Sequence, residues 1–191
     1  MSRLEKWNDR HQSSESRPQP CYLLRQFIHQ LPKNAPALDV ACGRGGNALA
    51  LAAQGFQTSA WDYSPVALER LRNVAKEEGL EVNGELIDLE AISSAPKSGF
   101  GAIVVSHYLH RPLCSILSSM LVPGGRLVYQ GFLRCENPSF GPRGDSSFRL
   151  FPGEIAELFG SLRTILHEEV GAQAHPSELT NMVFFAAERP A

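Results

Sequence analysis

At 191 residues and a net charge of -2, the chain has the size of one domain and no charge excess that would draw it to nucleic acid or an anionic membrane. A hydrophobic share of 43% beside 20% charged residues excludes a disordered or fibrous chain. No apolar run approaches the roughly 18 residues of a membrane span.

Residues 1–20 read as a polar N-terminal arm, with WNDRH at 7–11 and a serine-bearing stretch at 12–20. They lack the apolar core of a secretory signal, so the expected location is the cytoplasm. The four cysteines, Cys21, Cys42, Cys114 and Cys135, form no CxxC pair, and reduced thiols are expected.

Residues 21–191 read as a single domain. A helix is predicted over 21–31, with Leu23, Leu24, Phe27, Ile28 and Leu31 at helical spacing, stopped by Pro32 and Pro36. Strand-like 37–42 precedes a helix near 46–54. Strand-like 57–62 precedes a helix near 65–78, which Ser64 caps, Pro65 opens and Gly79 ends. ELIDL (85–89) and GAIVVSH (101–107) read as the third and fourth strands. A helix over 112–122 leads to a fifth strand at 125–133.

The alternation predicts an α/β fold: a Rossmann-like, doubly wound, seven-stranded sheet with helices on both faces. Residues 134–149 are too long for a simple connection and read as a lid or binding loop. A short helix near 152–159 follows, then strand-like 163–170 and 180–188. Only nine residues join those last two runs, too few for a parallel crossover, so they should pair antiparallel.

The stretch 38-LDVACGRGGNALALAAQG-55 is a strand, a glycine turn and a helix, an arrangement that holds nucleotide-like ligands at strand ends. Read literally, 43-GRGGNA-48 fits the dinucleotide fingerprint, with Asp62 near the expected ribose acid; a nicotinamide-dependent oxidoreductase is therefore one alternative. Asp39, just ahead of the glycines, would repel a pyrophosphate. It suits the ammonium of an amino-acid tail, held directly or through water. The expected antiparallel final strand also favours S-adenosylmethionine.

LDVACGRG resembles motif I of class I S-adenosylmethionine-dependent methyltransferases. AWDYSPVALERL, ELIDLE and LVPGGRLVYQGF resemble their later motifs, in order, over about 36–188. Ala41 in place of the first glycine, Gly46-Asn47 and the N-terminal WNDRH look closest to the tellurite-resistance and thiopurine-type small-molecule methyltransferases.

This resemblance implies S-adenosyl-L-methionine as cofactor and a small-molecule methyl acceptor: a thiol, a thiopurine or a chalcogen oxyanion. It places Asp62 on the ribose hydroxyls, Tyr63 against the adenine, and Asp88 with the backbone of Leu89 at the adenine amino group. Ala41, Gly43, Gly45 and Asn47 would line the methionine tail, with Asp39 behind. Ser106 and His107 would stand near the sulfonium. Trp7 and Arg10 either cover the site, Arg10 pairing with the methionine carboxylate, or belong to a solvated arm.

His107, His175 and Arg143 are the candidate catalytic residues. A histidine at the loop of His175 faces the acceptor in tellurite-type relatives, but the arginine that commonly follows is Pro176 here. Arg134, Arg143 and Arg149 could clamp an anionic acceptor or simply be solvated. His107, His110 and Cys114 are not expected to hold a metal, because Arg111-Pro112 breaks any common helical register. No nucleic-acid or membrane partner is expected, and the chain is expected to be a monomer or homodimer. A non-catalytic S-adenosylmethionine-binding regulatory protein is the remaining alternative.

Overall fold

The computed structural model describes residues 2–134, 146–171 and 179–191. Its elements run α1 (Arg3–Ser13), α2 (Tyr22–Phe27), β1 (Ala37–Val40), α3 (Gly46–Ala53), β2 (Thr58–Asp62), α4 (Pro65–Glu77) and β3 (Val82–Leu86). They continue with β4 (Phe100–Ser106), α5 (Arg111–Met120), β5 (Leu121–Leu133), β6 (Arg149–Leu150), α6 (Glu154–Leu158), β7 (Arg163–Val170) and β8 (Met182–Glu188).

One sheet runs β3-β2-β1-β4-β5-β8-β7, and β6 pairs only with the end of β5. β1 to β5 are mutually parallel; β8 is antiparallel to both β5 and β7. The short 171–179 connection thus gave the right pairing, and the single reversed strand lies between two parallel ones. The two-residue β6 was not anticipated.

Strand side chains alternate between two cores, because successive Cβ atoms point to opposite faces. Leu38, Ile103, Val105, Leu127 and Phe185 pack with α5 and α6 on one face. Ala37, Ala102, Val104, Val128 and Phe184 pack with α2 on the other, where α3 and α4 join through Leu49, Leu68 and Leu71. The punctuation of α4 is as read: Ser64 Oγ accepts from the amide of Ala67 at 3.1 Å, Pro65 opens the helix, and Gly79 (φ 66°) follows its end.

Three boundaries differ from expectation. The third strand is Val82–Leu86, not 85–89, because Gly84 admits the side chains of Leu68 and Arg72 from α4 and lets the earlier residues pair with β2. The helix before β5 stops at Met120, and β5 begins at Leu121 because Arg189 reaches back to the carbonyls of Ser119 and Leu121. The supposed arm carries α1, opened by a capping box in which Ser2 and Glu5 exchange side-chain and backbone hydrogen bonds.

The chain leaves β1 toward β2 and β3, then crosses to β4 and β5 on the other side. The switch between β1 and β4 opens a crevice at their carboxyl ends.

Candidate functional site

The turn after β1 passes through Ala41 (φ 53°), Gly43 (φ 53°) and Gly45 (φ 83°). A Cβ on Gly45 would stand 2.2 Å from Leu71, and one on Gly46 2.2 Å from the carbonyl of Gln19, so glycine is required at both. Ala41 adopts the left-handed conformation at a cost of about 1–2 kcal/mol.

Asp62, at the end of β2, fixes this turn. Its carboxylate accepts from the Gly43 amide at 2.7 Å and the Ser64 amide at 2.8 Å, and the side chain is 8% exposed. Each oxygen still has a second lone pair for a ligand hydroxyl.

Asn47 links the two strands at the switch. Its amide donates to Asp39 at 3.2 Å and to Ser106 Oγ at 2.9 Å, while its carbonyl accepts from the Cys21 amide at 2.9 Å. Asp39 is fully buried and also accepts from the Ala48 amide at 3.0 Å. Burial pushes its carboxyl up to about 7, against the opposing bonds from Asn47 and Ala48. Asn47 and Ser106 line the cavity, whereas Asp39 supports it from behind.

That cavity, about 320 Å³, lies between α1 and the turn and is lined by Arg10, His11, Cys42, Arg44, Asn47 and Ser106, among others. Arg44 donates to the carbonyls of Ser14 and Ser16. His11 packs against Gly43; burial holds its pKa down, opposed by nearby Asp62.

His107 follows β4 at φ 57°, its amide donating to the Gln130 carbonyl at 2.8 Å. Gln130 Oε1 accepts from the Leu23 amide at 3.0 Å, so its Nε2 is the atom 3.4 Å from His107 Nε2. This favours the ring proton on Nδ1. His107 is exposed; the surrounding protein and then Arg10 lower its pKa, which favours the neutral ring.

At the other end, Tyr63, Asp88 and buried Leu89 lie just past β2 and β3. Arg3 lies over the Tyr63 ring at 4.5 Å, donates to Asp88 at 2.8 Å and pairs with Glu90. The buried Tyr108 hydroxyl has no hydrogen-bond partner among the described residues. Trp7 stacks on His11 at 5.9 Å, and Arg10 lies 5.3 Å from the Trp7 ring.

The three late arginines do not form one set. Arg149 is 3% exposed, donates to the Leu133 carbonyl at 3.0 Å and lies 5.4 Å from the Phe132 ring, which makes it part of the frame rather than a solvated clamp. Arg134 is exposed and lies over Phe151 at 4.3 Å. Arg111 joins Glu154 through two hydrogen bonds and donates to the Ser147 carbonyl at 2.9 Å and the Arg149 carbonyl at 3.2 Å, fixing the segment at the base of the 134–149 loop. Arg143, His175, Cys135 and most of the loop lie outside the described residues.

The structure therefore brings Trp7, Arg10, Asp39, Ala41, Gly43, Gly45, Asn47, Asp62, Ser106 and His107 to one end of the crevice, and Tyr63, Asp88 and Leu89 to the other. The sequence reading missed Arg3, His11, Arg44 and Tyr108. For the first two the available signal was their helical spacing with Trp7 on one face of a polar segment. Cys21, Cys42 and Cys114 are free and buried. Among the described residues no three His, Cys, Asp or Glu side chains are grouped to hold a metal ion, and no helix is long and apolar enough to cross a membrane.

Residues 37–125 match a family model described as a methyltransferase domain. Hemagglutinin 1 of Eikenella corrodens is 26% identical over 147 residues, covering 74% of this chain and 48% of that protein, so the chain spans about half the length of the curated relative it matches. TehB from Haemophilus influenzae superposes with a TM-score of 0.72 at 15% identity, covering 97% of this chain and 66% of that one. A TehB-like S-adenosylmethionine-dependent methyltransferase from Corynebacterium glutamicum superposes at 0.65 with 16% identity, covering 97% and 95%. A structure from work on converting a disulfide into a thioacetal in echinomycin biosynthesis superposes at 0.75 with 17% identity, covering 99% and 92%.

The overall fold is shared with these structures, and the strand order, with its reversed β8 beside β5, departs from the 3-2-1-4-5-6 order of dinucleotide-binding sheets. Over residues 37–125 the chain is similar to a methyltransferase domain, and it shares its fold with these solved structures.

Proposed function

We propose that the chain transfers a methyl group from S-adenosylmethionine to a small acceptor that is anionic or bears a soft nucleophile such as sulfur or another chalcogen. The observation that carries this reading is the cavity of about 320 Å³ lined by Ser106 and by the cationic residues Arg10 and Arg44. Its volume suits a small molecule, and its lining favours negative charge.

The glycine turn, Asp62 and the orphaned Tyr108 hydroxyl fit the cofactor: backbone free of Cβ atoms, a carboxylate with spare lone pairs, and an unsatisfied polar atom. When bound, S-adenosylmethionine supplies an electrophilic methyl group on a sulfonium. The chain's own work is alignment and exclusion of water. Asn47 holds Ser106 against β1, and Gln130 orients His107 with a neutral ring beside the cavity. A soft acceptor is already nucleophilic and needs no base, whereas an oxygen or nitrogen acceptor usually needs a proton removed. In this reading His107 borders the reacting atoms, and Arg10 and Arg44 draw in the acceptor or the cofactor carboxylate.

A methyl-transfer screen with labelled donor against thiols, chalcogen oxyanions, thiopurines and small amines tests the assignment. Turnover confined to amines would overturn the acceptor class. S-adenosylhomocysteine binding without transfer to any acceptor would favour a regulatory role.

A further inference from the structure

Helix α1 has no buried residue, yet its inward side spans the crevice from end to end. Arg3 meets Tyr63 and Asp88 at one end, while His11 meets Gly43 and Arg10 lines the cavity at the other. The two ends of the helix are held differently. The C-terminal end is clamped by Arg70, which donates to the carbonyls of His11 at 2.6 Å and Gln12 at 2.9 Å, with Arg44 on the carbonyls just beyond. The N-terminal end is held by the polar contacts of Arg3 and by one bond from Ser64 to Asn8 at 2.6 Å.

A guanidinium is planar, delocalised and rimmed with N–H donors, as is the amino edge of adenine. The groups Arg3 uses are an aromatic face at 4.5 Å and a carboxylate at 2.8 Å, which are what a planar ring bearing an exocyclic amino group requires.

We propose that Arg3 is a built-in competitor of the cofactor: its guanidinium occupies the adenine end of the crevice, and α1 pivots on its Arg44–Arg70 clamp to admit the ligand. The inference rests on the cofactor reading above. Because the N-terminal end of α1 is held by part-buried polar contacts and α1 has no buried residue, opening costs little and is sensitive to salt. Cofactor affinity is then reduced by the fraction of molecules in the closed state.

The test compares the native chain with Arg3→Ala and with Arg17→Ala, a control that removes a different exposed arginine–glutamate pair. Each is titrated by calorimetry with S-adenosylhomocysteine and with adenosine, which lacks the amino-acid tail. The expected result is that Arg3→Ala tightens both probes by roughly three- to twentyfold while Arg17→Ala changes neither. The advantage of Arg3→Ala over the native chain should shrink as sodium chloride rises. Unchanged or weaker binding by Arg3→Ala would overturn the competitor role alone. Failure of all three chains to bind either probe would overturn the cofactor reading and this inference with it.

Discussion

The Gly43 amide donates to Asp62 at 2.7 Å, so the residue proposed to receive a ribose also closes the glycine turn. Asp62→Ala should weaken S-adenosylhomocysteine by roughly ten- to a hundredfold, from losing charge-assisted hydrogen bonds of about 1.5–3 kcal/mol. The same change should lower the melting temperature, because the amides of Gly43 and Ser64 lose their acceptor. Calorimetry and thermal melts check both arms; unchanged affinity in a folded variant would remove Asp62 from the cofactor site.

Asn47 offers a sharper separation of support from contact. Asn47→Ala removes the side-chain partner of Ser106 and of the Cys21 amide and leaves Asp39 only the Ala48 amide, and should cost about 2–4 kcal/mol of stability. Asn47→Asp keeps the shape but sets a second carboxylate beside Asp39, and should be at least as damaging at pH 8. Denaturant unfolding reads both, and a loss under about 0.5 kcal/mol would mean the bridge is not structural.

Asp39 predicts the sign of a pH dependence. Its folded pKa of about 7 lies above its unfolded value, so the folded state binds more protons between about pH 4 and 7. Its contribution therefore falls as pH rises through that window and is level above it. Asp39→Asn should remove this slope, leaving the difference in melting temperature between the two chains pH-dependent between about pH 4 and 7. A pH-independent difference would show that Asp39 titrates normally.

The late arginines should divide. Arg149→Ala removes a buried guanidinium that braces the end of β5 and should destabilise the chain by about 2–4 kcal/mol. Arg134→Ala removes, among the described residues, the exposed stack on Phe151 and a charge near Glu154, and should change stability by less than about 1 kcal/mol. Measuring KM for an anionic and a neutral acceptor then isolates any charge effect at Arg134 or Arg143. Equal loss on both acceptors would dismiss a charge-selecting loop.

What the sequence made legible was local. Ser64, Pro65 and Gly79 mark a helix by the φ angles and hydrogen bonds they allow, and the short 171–179 link excludes a crossover whatever the rest of the chain does. What it hid was tertiary. The third strand was read at 85–89 because the packing of Leu68, on helix α4, against Gly84 is invisible to periodicity. Arg149 read as either an anion clamp or a solvated side chain because nothing nearby in sequence announces the Leu133 carbonyl it serves. Helix α1 was missed because it has no apolar stripe; polar caps and distant acids hold it instead.

The reversed β8 also has a consequence for how the chain can be divided. It pairs with β5 from Arg126 to Phe132, and Val183, Phe185 and Ala187 complete the larger core. The stretch matched as a methyltransferase domain ends at residue 125, ahead of that pairing. A chain shortened before residue 163 would present β5 as a long, flat, apolar edge, a template for pairing with its own copies. The last hairpin would thus protect the sheet against aggregation, and a chain ending shortly before residue 163 should yield insoluble protein.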